Sequence, residues 1–138
     1  IRYLQLWAPG VVVFPQLQPS DHNVLNAENS AHVRPIPARI YQEMLSFFRL
    51  QQAAGFHCHA FPEKSVLDAF IQLYFEHFDP LMPFLHCSFL EEDDVHWILF
   101  LAVASVGSQY TAIERRSQYI VALLELLRRA LPNDVRFD

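Results

Sequence analysis

The chain has 138 residues, 52% of them hydrophobic, which is enough for one domain with a sizeable core and excludes disorder throughout. Its net charge is −5 and Lys64 is its single lysine, so it lacks the basic footprint that neutralising nucleic-acid phosphates requires and is not expected to bind DNA or RNA by itself. Two cysteines, Cys58 and Cys87, are too few for a disulfide framework or a four-cysteine zinc site, and no signal peptide opens the sequence, a combination that fits a reducing, intracellular compartment.

Residues 1–14, IRYLQLWAPGVVVF, place the β-branched run Val11, Val12 and Val13 behind the breaker Pro9-Gly10, which by propensity is a short strand with no second strand to pair with. A start at Ile1 rather than Met suggests a fragment. Residues 16–37 are polar and proline-bearing with little periodicity, so residues 1–37 read as a linker or poorly ordered segment, and the helical part as residues 38–138.

From Ala38, the near-helical recurrence of Ile40, Met44, Leu45, Phe47 and Phe48 behind Pro37 predicts a helix to about Gln52, ended by Gly55. Residues 56–62, FHCHAFP, form an irregular connection. Ser65, with Asp68 three residues on, resembles a capping box and predicts the next helix start. In that helix Asp68, Gln72 and Glu76 recur every four residues as one polar stripe expected to face solvent, while Leu67, Phe70, Ile71, Leu73, Tyr74, Phe75 and Phe78 require a nearly enclosing core. The helix stops before Pro80, Asp79 caps a new turn, and Pro83 restricts Met82, giving a rigid corner that carries Leu81, Met82, Phe84 and Leu85.

Four acids, Glu91, Glu92, Asp93 and Asp94, precede a helix over 95–106, where they favour the positive end of its macrodipole, and Gly107 is expected as its C-terminal cap. The apolar run from Trp97 to Val106 reads as a buried helix, too short at ~1.5 Å per residue to cross the ~30 Å of a bilayer. The last helix, about 112–131, places Ile113, Ile120, Leu124, Leu127 and Leu131 on one face with Leu123 and Leu126 beside it, and puts the Glu125–Arg129 pair on the solvated side. The fold class is therefore all-α: an irregular array of about four helices, with the look of an incomplete domain.

His57, Cys58 and His59 are metal-ligand types in a row, and His86-Cys87 a second pair, but adjacent residues do not converge on one ion as two spaced pairs do. His77 and Asp79 could serve as a base and its orienting acid, with Cys87 as nucleophile. The three glycines include no nucleophile elbow or phosphate loop, so a partly buried, hydrogen-bonded His77 near a helix end is the simpler account. The acidic run lacks the alternating oxygens and turn glycine of a calcium loop. The aromatic stripe from Phe70 to Phe84 reads as core before it reads as a ligand pocket. No catalytic, cofactor or metal residue is assigned. The alternatives kept open are a small hydrolase using Cys87 with His77 or His86, and a stand-alone helical ligand-binding module.

The order LYFEHF at 73–78, then Pro80, then PFLH at 83–86, then Ala104, Gly107 and Tyr110 within ILFLAVASVGSQYT, resembles the start of the fungal-specific transcription factor domain, the middle homology region of zinc-cluster and zinc-finger regulators. The matching anchors are Tyr74, Phe75, His77, Phe78, Pro80, Pro83, His86, Gly107 and Tyr110, and the likeness covers roughly residues 65–131. Asp79 stands where that family commonly has histidine, and Cys87-Ser88-Phe89 replaces a longer Arg-Pro-Thr-Phe type sequence. The resemblance implies a non-enzymatic regulatory segment of a nuclear regulator of RNA polymerase II transcription, acting through protein partners or the rest of its own domain, with no membrane association. It also implies that zinc and DNA are held by a separate module, and that this chain itself carries no cofactor.

Overall fold

A computed structural model of the chain describes residues 12–79 and 96–131, which form five α-helices and, among the described residues, no strand. The helices are α1 (Pro19–Glu28), α2 (Ala38–Ala53), α3 (Lys64–Leu73), α4 (Trp97–Gly107) and α5 (Arg116–Ala130). A π-helical turn, Tyr74–Phe78, extends α3, and a short 3-10 turn, Ser108–Tyr110, extends α4. The all-α expectation holds. Val12 and Val13 belong to no regular element, and Val11, the proline corner at 80–86 and the acids at 91–94 lie outside the described residues.

The middle of the molecule is α4, WILFLAVASVG, a helix apolar on every side and therefore one that must be surrounded. It packs on α3, α5 and α2. Its start is set by His96, whose Nδ1 accepts the Ile98 N–H at 3.1 Å. Its buried hydroxyls are satisfied locally: Ser105 donates to the Leu101 carbonyl at 2.8 Å and Ser108 to the Ser105 carbonyl at 2.6 Å.

Gly107 does not cap α4 in the left-handed conformation expected of it; its φ is −62° and it is the last helical residue. Its role is close approach. A Cβ at this position would lie 1.8 Å from the Phe70 carbonyl oxygen and 3.1 Å from the Tyr74 backbone nitrogen. Only hydrogen fits between the two backbones, so Gly107 sets the distance between α3 and α4. The same crossing coincides with the change of α3 into the π-helical turn, in which the Asp79 N–H bonds the Tyr74 carbonyl at 3.0 Å.

The end of α2 follows the sequence closely. Gly55 takes a φ of +101°, its N–H donates to the Gln52 carbonyl, and the Phe56 N–H reaches back to the Gln51 carbonyl at 2.8 Å, the paired bonds of a Schellman ending. That reversal turns Phe56 inward, edge-on to Phe48. Ser65 is not the cap of α3; the N-cap is Glu63, and Asp68 serves another element. In α5 the buried residues are Tyr119, Val121, Ala122, Leu123 and Leu126, whereas Ile120, Leu124 and Leu127 of the predicted face are only partly buried and Leu131 is 40% exposed. The Glu125–Arg129 pair is present at 3.2 Å, and Arg128 joins it.

Residues expected to be a linker also form structure. Pro19 occupies the first turn of α1, and the Asp21 carboxylate two residues later accepts the Gln18 N–H at 2.9 Å. Upstream, the Phe14 ring meets Phe48, Phe61 and Tyr119 at 5.7–6.2 Å, and the buried Tyr119 hydroxyl donates to the Pro15 carbonyl at 3.0 Å. Burial, with the Asp21 and Glu63 charges adding to it, pushes the Tyr119 phenol up to about 12, so it stays protonated and keeps this bond across the physiological range.

Gly107→Ala is expected to destabilise the chain by about 3 kcal/mol, because the obstructing atoms are backbone and α3 and α4 must separate to admit a methyl group. Urea unfolding followed by circular dichroism checks this; an unchanged midpoint would contradict the crossing as described.

Candidate functional site

The stripe Asp68, Gln72 and Glu76 does not face solvent. Gln72 is 1% exposed, in the apolar second half of α3. A buried amide side chain needs partners, and these come from residues 29–36, the strap between α1 and α2. The Gln72 Oε1 accepts the backbone N–H of both His32 (2.9 Å) and Val33 (3.1 Å). Asp68 Oδ1 accepts the Ile36 N–H at 2.7 Å, while its other oxygen accepts from Lys64 at 3.0 Å. Glu76 Oε1 accepts from Gln72 Nε2 at 2.9 Å and from the Ser30 hydroxyl. Four-residue spacing on α3 thus presents a column of acceptors to the backbone amides of the strap.

The two ends of the strap are fixed as well. At its start Ala31 is left-handed, with φ of 60°, and donates its N–H to the Asn29 side chain at 3.1 Å. At its end the Ile36 side chain is 2% exposed, in the core. Just before the strap, the Glu28 carboxylate accepts from the Thr111 hydroxyl at 2.6 Å and the Ala112 N–H at 2.8 Å, joining α1 to the turn that leads into α5. The Ser30 and Gln72 bonds hold the Glu76 carboxyl below its ordinary value of 4.5.

The sequence-derived anchors that are described lie close together at one end of α3. Tyr74 is buried, with Phe75 edge-on at 4.9 Å and Phe78 at 5.2 Å. His77 stacks on Tyr110 at 5.4 Å, and Gly107 meets the Tyr74 backbone. Pro80, Pro83 and His86 lie outside the described residues.

The candidate chemistry does not assemble among the described residues. His57 and His59 are exposed and Cys58 is buried, so the three side chains diverge, and no three His, Cys, Asp or Glu side chains there could hold a metal ion. Burial pushes the Cys58 thiol up, away from the reactive thiolate, and its Sγ lies 3.4 Å from the Val12 carbonyl. His77 is a half-exposed ring with Glu76 3.8 Å from its Nε2, not the hydrogen-bonded, partly buried residue expected. Cys87, the proposed nucleophile, lies outside the described residues. A cleft of about 530 Å3 between residues 13–17 and 59–66 is walled by Phe14, Phe61 and Val66. The buried Tyr119 hydroxyl on its wall is already bonded to Pro15, and its other polar lining residues are Gln16, His22, His59 and Glu63.

Sequence reasoning missed Glu28, Ser30, Phe14 and Tyr119 as structural contacts. For α1 a signal was present: Pro19 followed by Asp21 is a helix-start pattern. For the strap there was none, since a carboxamide that faces water and one that faces backbone amides look the same in sequence.

A protein named "Transcription factor" from Gibberella fujikuroi is 30% identical to this chain over 110 residues, covering 76% of the chain and 15% of that protein. The chain is similar to a fungal transcription factor. It therefore spans only a small part of the length of the relative it matches. No family model and no solved structure matches it. Among the described residues, no helix is long and apolar enough to cross a membrane.

Gln72→Leu keeps the side-chain size but removes the acceptor of two strap amides; a stability loss of about 2 kcal/mol is expected, read as a lower urea midpoint with helix content unchanged. Because the folded Glu76 value is depressed, its contribution is present above the ordinary 4.5 and lost as pH falls through the folded value. Protection factors of the His32 and Val33 amides should therefore hold level from neutral pH to about that point and decline below it.

Proposed function

We propose that this chain is a regulatory segment of a fungal transcription factor, acting in the nucleus on RNA polymerase II transcription through protein partners or through other parts of its own polypeptide. The carrying observation is the 30% identity to a protein named as a transcription factor, sustained over 110 residues. Two physical features support the assignment of a role without DNA contacts. The net charge is −5, so the chain repels a phosphate backbone rather than attracting it. The α3 side chains at the best-defined site accept from the chain's own backbone amides, a use that holds a polypeptide segment.

On this reading the segment is not an enzyme and holds no cofactor. Sequence-specific DNA contacts, and the zinc ions that organise them, belong to a separate module of the same regulator. The 15% coverage of the relative leaves ample room for such a module there.

Fusing the chain to a heterologous DNA-binding domain is expected to change transcription of a cognate reporter several-fold relative to that domain alone. The purified chain is expected not to retard duplex DNA even at low ionic strength. Tight, strongly salt-dependent DNA binding by the chain alone would overturn this division of roles.

A further inference from the structure

The strap is fastened to α3 by directional bonds; the Ile36 N–H is held by Asp68, and the others converge on one carboxylate. Glu76 Oε1 accepts from both Ser30 and Gln72, and the same Gln72 holds the His32 and Val33 amides. Ser30 is exposed, as are Asn29, Ala31 and His32 around it, so its hydroxyl is open to a modifying enzyme although it is hydrogen-bonded. The left-handed Ala31 beside it is a conformation that costs a non-glycine residue about 1–2 kcal/mol, and it persists because the bonds on either side hold it.

We propose that Ser30 is a modification site and the strap a charge-sensitive latch: a phosphoryl group on the Ser30 hydroxyl replaces a donor to Glu76 with an anion beside it, and releases residues 30–33 from α3. The group comes from a nucleoside triphosphate. The bond from Ser30 Oγ to the terminal phosphorus forms, the bond from that phosphorus to its bridging oxygen breaks, the nucleoside diphosphate leaves, and the hydroxyl proton passes to a base of the transferring enzyme. The product carries a charge of about −1.5 to −2 at neutral pH and can no longer donate to a carboxylate. Like charge at hydrogen-bond distance drives Ser30 from Glu76, and Glu76 is the group that orients the Gln72 amide. The left-handed turn at Ala31 then relaxes. The core anchor Ile36 and the Glu28 bonds to Thr111 and Ala112 lie at the two ends, so the release is local. The latch does not depend on what the chain regulates.

The test is hydrogen exchange of the whole chain, read at His32 and Val33 against the amides of α4. Ser30→Ala removes one hydrogen bond and should lower strap protection by about threefold. Ser30→Glu, and phosphoserine encoded at position 30, should lower it by about tenfold or more with α4 unchanged. The pair Ser30→Glu with Glu76→Gln, which keeps an Oε1 acceptor for Gln72 and removes the like charge, should recover most of the lost protection. The proposal is overturned if Ser30→Glu does no more than Ser30→Ala, or if the Glu76→Gln pair stays as open as Ser30→Glu alone. It is equally overturned if phosphoserine raises protection, which would mean that His32 and His77 hold the new charge, or if α4 loses protection together with the strap.

Discussion

Among the described residues, α3 and α4 cross backbone against backbone. Gly107 at the end of α4 lies against the Phe70 carbonyl and the Tyr74 nitrogen of α3, with no room for a methyl group. Helix pairs usually meet through side chains at 8–10 Å between axes, and a glycine allows closer approach. Here that approach fixes the depth to which α4 sinks into the core. Phe100, Leu101, Val103 and Ala104 are then buried against α3, α5 and α2, and the extension of α3 runs through a π-helical turn at the crossing. Each fully buried large apolar side chain contributes about 1.5–3 kcal/mol, so the burial organised around this contact is the principal source of stability.

A second, polar layer depends on that apolar one. With α3 fixed, Asp68, Gln72 and Glu76 stand at the positions where strap amides arrive, and Glu28 reaches the turn before α5. These bonds are each worth about 1 kcal/mol, since water competes for the same groups, but leaving Gln72 buried without them would cost more. The polar layer thus determines where α1 and the strap lie while adding modest stability. A segment held this way can be detached without unfolding the helices beneath it. That property suits a regulatory role, in which one face of a helical unit is alternately covered and offered.

Much of the helical plan could be read from sequence because it rests on local rules. The apolar recurrence in α2 and the glycine after it gave both the helix and its ending, and the all-round apolarity of α4 gave its burial. What was misread depends on distant partners. Gly107 looks like a helix cap in sequence; its role is set by Phe70, far away along the chain. The polar stripe looks solvated until the strap is placed on it. In α5 leucines occur at 123, 124, 126 and 127, so apolar residues flank the true face on both sides, and Tyr119 decides it only because its hydroxyl finds Pro15. Helix α1 has few apolar residues besides Val24 and Leu25, so periodicity is silent there and only the proline and aspartate at its start carry a signal. The functional reading was accessible as a pattern of aromatic and small residues, and it agrees in kind with the likeness to a fungal transcription factor.

If the α3–α4 contact is the constraint on which the rest depends, its two sides must open together and last. Native-state hydrogen exchange across increasing urea measures this directly. The account predicts that the amides of Ile71–Leu73 and those of Leu101–Ser105 share one opening free energy, equal to that of global unfolding, with α1 and the strap opening below it. Slowest exchange in α2 or α5, with α3 and α4 opening earlier or at different free energies, would contradict it.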